Sequence, residues 1–92
     1  MARAAKITMY TRSWCGYCAA ARELLDSKQA DYENIDVDAD RDQLQTMIDR
    51  SGGRTVPQIF VNDDYLGGYT ELAALESNGQ LDNLLDQPPA TG

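Results

Sequence analysis

The chain contains no histidine, two cysteines, one tryptophan, one phenylalanine and three prolines among 92 residues. Each scarcity excludes something. Without histidine, no imidazole is available to activate a thiol or bind a metal. Zinc usually takes four ligands, and two thiols without imidazole cannot close such a site within one chain. No run approaches the roughly 20 apolar residues of a membrane span. Residues 1–5 are too short for a signal peptide and lack its apolar segment. The expected compartment is the cytoplasm, where a pair of cysteines is expected to be catalytic rather than structural.

Positive charge is also scarce. Eight basic residues stand against fifteen acidic ones, a formal net charge of −7. The imbalance is uneven: residues 1–30 carry a net of +3 and the remainder a net of −10. Nucleic-acid binding needs a basic footprint and is excluded on this ground. Most of the acidic residues serve solubility. The relatively positive first third suits an anionic substrate.

What is present is concentrated in Cys15-Gly16-Tyr17-Cys18. A strand-like run, Lys6 to Tyr10, precedes it, and a helix-like run, Ala19 to Lys28, follows. A C-x-x-C pair at a strand-to-helix junction reads as a thiol–disulfide redox site. Positions i and i+3 of a helix share a face, with Cα atoms roughly 5–6 Å apart, and a disulfide spans that distance. A purely structural disulfide here would close almost no loop and stabilise little.

The two thiols should differ. Only the thiolate attacks, and an ordinary cysteine near pKa ~8.5 is only a few per cent thiolate at pH 7. A drop of about three units needs roughly 4 kcal/mol of preference for the anion. A helix N-terminus supplies about 0.3–1 kcal/mol, rising to about 2 in good geometry. Backbone N–H bonds to the sulfur must add to it, at about 1.5–3 kcal/mol each. Arg12 offers a nearby positive charge. Cys15 precedes the helix and meets all three, so it is the expected nucleophile. Cys18 lies one turn inside, where burial keeps a thiol neutral, and is the expected resolving thiol.

The remaining pattern is α/β. Tyr32 to Val37 reads as a second strand. Asp40 to Ser51, with Leu44, Met47 and Ile48 at helical spacing, reads as a helix ended by Gly52-Gly53. Val56 to Val61 is a third strand starting at a proline. Asn62-Asp63-Asp64 turns into a short fourth strand, Tyr65 to Gly67. Thr70 to Ser77 is a third helix closed by Asn78-Gly79, and Leu81, Leu84 and Leu85 suggest a short last one. Ninety-two residues suit one domain, residues 1–92, with an ordered core of about 6–85 and a frayed tail at 87–92. The order β-α-β-α-β-β-α predicts a thioredoxin-like mixed four-stranded sheet with helices on both faces. Its first two strands should be parallel, with a right-handed crossover.

Three motifs in this order resemble the glutaredoxin family, closest to the short dithiol bacterial type. They are Thr11-Arg12-Ser13-Trp14-Cys15-Gly16-Tyr17-Cys18, Thr55-Val56-Pro57, and Gly67-Gly68-Tyr69-Thr70-Glu71-Leu72. The resemblance runs from Lys6 to Leu85. It implies a glutathione-dependent thiol–disulfide oxidoreductase acting on protein–glutathione mixed disulfides and protein disulfides. It implies a cis peptide before Pro57, so that Val56 pairs with the cysteine of glutathione beside Thr55. It also places the γ-glutamyl carboxylate at the N–H groups of Gly68, Tyr69 and Thr70, with the Thr70 hydroxyl as contact or helix N-cap. Arg12 would meet the glycine carboxylate, Tyr17 would pack over the peptide, and Trp14 would cover the helix start.

Three positions depart from the family pattern. Gly16 stands where proline is common. Related proteins with glycine or serine there hold a 2Fe–2S cluster between two subunits, with Cys15 as the matching ligand and two glutathiones. Tyr69 replaces a smaller residue. Leu44 sits where a polar side chain often reaches glutathione, which leaves Arg41 or Gln45 to substitute. The resemblance therefore implies a monomer that works with glutathione and with glutathionylated or disulfide-bonded proteins, away from membranes. The alternative is a glutathione-ligated, cluster-bridged dimer. A third reading, a redoxin fed by thioredoxin reductase, rests on Trp14-Cys15-Gly16 and is opposed by the glutathione-like motifs.

Overall fold

In the computed structural model, which describes residues 3–89, the sheet is built outward from one strand. β1 (Ile7–Thr11) is buried at all five positions. It pairs in parallel with β2 (Tyr32–Asp36) and antiparallel with β3 (Gln58–Val61). β4 (Asp64–Gly67) runs antiparallel to β3, so the sheet order is β2-β1-β3-β4. A strand covered on both faces needs apolar residues at successive positions, which is why Met9 and Tyr10 are adjacent. The buried hydroxyl of Thr11 is satisfied by donating to Asn34 Oδ1 at 3.1 Å.

Among the described residues, four helices cover the sheet: α1 (Gly16–Ser27), α2 (Arg41–Ser51), α3 (Tyr69–Ser77) and α4 (Leu81–Leu85). Successive strand residues face opposite sides, and the two faces make two cores. Ile7, Met9, Ile59 and Val61 pack against Ala21 and Leu25 of α1, Leu72 of α3, and Leu81 and Leu85 of α4. Tyr10 and Phe60 face the other way and meet Val37 and Met47, with Leu44 and Ile48 of α2 beside them. Each fully buried side chain of this size contributes roughly 1.5–3 kcal/mol. Arg50 ties α2 to the sheet. It donates to the Tyr10 hydroxyl at 2.9 Å, and its guanidinium lies 4.0 Å from the centre of the Phe60 ring.

The chain reverses where local chemistry permits. Asp40 caps α2 by accepting from Asp42 N–H at 2.9 Å, and Gly52 ends it with φ at +77°. Asn62 and Asp63 both take positive φ, as a two-residue hairpin of primed type requires. The Asn62 side chain also accepts from Lys6 N–H at 2.8 Å and donates to the Gln87 carbonyl at 2.9 Å. Gln87, expected in the frayed tail, is therefore held; residues 90–92 of that tail lie outside the described residues.

Other boundaries shift by a few residues. α1 begins at Gly16 rather than Ala19, because Cys15 itself is its N-cap. α3 begins at Tyr69, capped at Gly68, so Thr70 is not the cap. β3 begins at Gln58, because Pro57 has no N–H to give a ladder. Among the described residues, no helix is long and apolar enough to cross a membrane.

Candidate active site

The parallel pairing of β1 and β2 brings their C-terminal ends to one edge of the sheet. The loop after β1 then carries Cys15 to the start of α1. Cys15 has extended backbone angles, φ −109° and ψ 115°, and its sulfur accepts from Cys18 N–H at 3.3 Å. The thiol is half-buried and donates to the Val56 carbonyl at 3.6 Å. The Val56–Pro57 peptide is cis. Cys18 points into the protein and is wholly buried. Both thiols are free.

The electrostatics separate the two sulfurs. Partial burial pushes the Cys15 thiol up, but hydrogen bonding from Cys18, backbone N–H groups of Cys18 and Tyr17, and the charge of Arg22 outweigh it. The net direction is down, below the ordinary thiol value. Burial pushes the Cys18 thiol up to about 11, and its hydrogen bond to Cys15 adds to the rise, although a backbone bond from Arg12 opposes it. Of the two thiols, Cys15 is therefore the one that ionises first, and Cys18 holds its proton at neutral pH.

The cation that acts on Cys15 is Arg22, two turns along α1, and not Arg12. Arg12 is turned to Asp38 in the segment after β2, with which it forms an ion pair. That corrects the expectation that Arg12 supplies positive charge to the thiol. The sequence carried a weak signal for Arg22, which lies one turn beyond Cys18 on the same helix.

Beside the thiols lies a cleft of about 190 Å³. Seven of the expected binding residues line it: Tyr17, Thr55, Val56, Pro57, Gly68, Tyr69 and Thr70. Arg12 does not, nor does Cys15 itself, whose sulfur meets the wall only through the Val56 carbonyl, and Arg41 and Gln45 of α2 are also absent from its walls. Gln58, Tyr65 and Glu71 complete the lining, and sequence reasoning missed all three. Gln58 is buried and links the wall together, donating to Thr55 Oγ1 at 3.0 Å and accepting from the Tyr65 hydroxyl at 2.5 Å.

Glu71 reaches back to accept from Gly68 N–H at 2.7 Å. The spacing of a cap residue and a glutamate three positions later is a recognised capping signal and could have revealed it. The tight turn demands glycine at 67 and favours it at 68. Gly67 has φ at +129°, and a Cβ there would lie 2.5 Å from the Glu71 carboxylate. A Cβ on Gly68 would lie 3.2 Å from the Pro57 carbonyl. Tyr69 is part of the cleft wall, and its ring lies against Tyr17, with centroids 6.1 Å apart. Trp14, expected to cover the helix start, covers nothing and is 97% exposed.

Comparison with known proteins agrees with this geometry. Residues 7–66 match the family model described as glutaredoxin. The chain is 41% identical over 81 residues to glutaredoxin 3 of Escherichia coli K12, covering 88% of this chain and 98% of that one. It is 43% identical to the solution structure of glutaredoxin from Brucella melitensis, with a TM-score of 0.77 and 88% of each chain covered. The crystal structure of the buckwheat glutaredoxin–glutathione complex is 27% identical, with a TM-score of 0.79, over 86% of this chain and 74% of that one.

The separation of the thiols predicts an alkylation pattern. Iodoacetamide at neutral pH should modify Cys15 alone, and Cys18 should react only as the pH approaches 11 or after unfolding. Arg22→Gln should move the Cys15 rate profile to higher pH, because it removes the charge that favours the thiolate. Peptide mapping across a pH series checks this; equal modification of both cysteines at pH 7 would contradict it.

Proposed function

The chain belongs to the glutaredoxin family, and on that premise we propose that it is a glutathione-dependent oxidoreductase for protein–glutathione mixed disulfides and protein disulfides. The observation that carries the reading is the half-exposed, activated Cys15 sulfur beside the Val56 carbonyl at the rim of a peptide-sized cleft. Thr55, Val56 and Pro57 offer an extended backbone edge to the cysteine of glutathione. Tyr69 and Thr70 offer N–H groups, and Thr70 a hydroxyl, to the γ-glutamyl end at the start of α3, while the Gly68 N–H is held by Glu71 and Gly68 contributes close backbone approach. Tyr17 packs over the bound peptide.

The chemistry follows from the two thiol environments. The Cys15 thiolate attacks the glutathione sulfur of a mixed disulfide. A Cys15–glutathione disulfide forms, and the protein thiolate leaves and takes up a proton. A second glutathione thiolate then attacks the glutathione sulfur, releasing oxidised glutathione and restoring the Cys15 thiolate. With a protein disulfide, Cys15 becomes joined to the protein instead. Cys18 then loses its proton, attacks the Cys15 sulfur and expels the protein thiolate, leaving a Cys15–Cys18 disulfide that two glutathiones reduce. A low-pKa sulfur is also the better leaving group, so exchange is directed through Cys15.

The partners in this reading are glutathione and glutathionylated or disulfide-bonded proteins, met by a cytoplasmic monomer. Cys15→Ser should abolish every activity. Cys18→Ser should keep turnover of a glutathionylated peptide while losing reduction of a protein disulfide. A coupled assay with glutathione reductase and NADPH reads both, and retained turnover by the Cys15 variant would overturn the assignment.

A second reading is motivated by Gly16. A Cβ at Gly16 would meet nothing within 4 Å, so the space beside Cys15 is open to a second subunit. Among the described residues, no three metal-binding side chains converge. A 2Fe–2S cluster would thus take Cys15 from each of two chains and its other ligands from glutathione, and would supply storage or sensing. Anaerobic reconstitution with glutathione should then give a coloured dimer; a colourless monomer leaves the oxidoreductase alone.

A further inference from the structure

We propose that Asp38 is a specificity-determining residue that competes with the substrate's carboxylate for Arg12. This inference rests on the glutathione reading above and concerns the end of the site opposite α3. Arg12 lies three residues before the nucleophile, on the loop that leaves β1. Asp38 lies two residues beyond the end of β2. Because the strands are parallel neighbours, the two segments run side by side, and three contacts join them. Val37 N–H donates to the Thr11 carbonyl at 2.9 Å, the Ser13 hydroxyl donates to Asp36 Oδ2 at 3.0 Å, and Arg12 Nη1 pairs with Asp38 Oδ1.

The backbone bond and the Ser13–Asp36 bond hold the loop without help from Arg12. Asp36 is itself held, accepting from Asp38 N–H at 2.9 Å. The Arg12–Asp38 pair is different in kind. Both side chains are more than one-third exposed, 38% and 45%. Such a pair is worth about 0–1 kcal/mol, too little to anchor the loop. Its consequence is for recognition. The guanidinium nearest the nucleophile in sequence already has a carboxylate from its own chain. An incoming carboxylate must exchange with Asp38, and it gains only the difference between two similar ion pairs. Arg12 therefore discriminates weakly between a carboxylate and a neutral group at that end of the substrate. The site tolerates a peptide whose chain continues there, as a disulfide-bonded protein's does.

The test compares glutathione with its glycine-amide analogue, in which the C-terminal carboxylate is neutral. Binding of each oxidised dimer to the Cys15→Ser protein is followed by intrinsic fluorescence, so that no turnover is needed. Wild-type Asp38 should give similar affinities for the two. Asp38→Asn should tighten the carboxylate form by about two- to five-fold, which is about 0.4–1 kcal/mol, and leave the amide form unchanged. Asp38→Glu should restore the wild-type ratio, and Arg12→Gln combined with Asp38→Asn should abolish the gain. An unchanged ratio in Asp38→Asn, or a gain that survives loss of Arg12, would overturn the inference. Failure of both ligands to bind would instead overturn the glutathione reading.

Discussion

The site depends on one hydrogen bond, from the Cys18 backbone N–H to the Cys15 sulfur at 3.3 Å. It makes a cysteine side chain the N-cap of α1, a position that serine, threonine, aspartate or asparagine usually fills. An oxygen cap satisfies an orphan N–H and stops there. A sulfur cap does that and also lowers the energy of its own anion, because the helix start is a place where negative charge is favoured. With no histidine in the chain, activation comes chiefly from Cys18, whose thiol and backbone N–H both hydrogen-bond the Cys15 sulfur. The Tyr17 N–H and Arg22 add to it against the cost of partial burial. The same helix carries Cys18 inward, where burial dominates and acts in the opposite direction. A single turn of helix thus holds the pKa of one thiol down and pushes that of the other up.

The rest of the fold keeps that turn in place. Buried β1 delivers the loop, and Ala21 and Leu25, on the Cys18 side of α1, lock the helix against the sheet. The cleft depends on a second helix start. Gly67 and Gly68 let the chain pass close to Pro57 and Glu71, so that α3 opens against the same space as α1. The Gln58 side chain holds Thr55 and Tyr65 in the intervening wall. Polar groups at this depth must be paired, and Gln58 is paired at both ends of its amide.

Much of this was legible in the sequence. Cys18, Ala21 and Leu25 repeat at helical spacing and share a buried face, and Asn62-Asp63 and Gly52 mark reversals that few other residues tolerate. The cleft residues at 55–57 and 68–70 were reached through three motifs whose order and spacing are those of one family. Side-chain orientation was not legible. Arg12 stands close to Cys15 in the chain but is drawn to Asp38, an acidic residue that only strand pairing brings near. Arg22 is seven residues away and acts on the thiol because a helix returns to the same face. Gln58 looked like an ordinary strand residue. Thr70 resembled a cap, but Gly68 takes that place and Glu71 supplies the carboxylate, an exchange that depends on backbone angles rather than composition.

The central claim is that the reaction passes through a disulfide between Cys15 and glutathione. The most direct measurement is to treat the Cys18→Ser protein with oxidised glutathione and map the adduct by peptide mass spectrometry. The account predicts one glutathione per chain, bound at Cys15 and removed by added glutathione. A protein that stays unmodified, or that forms only a disulfide between two chains, would contradict it.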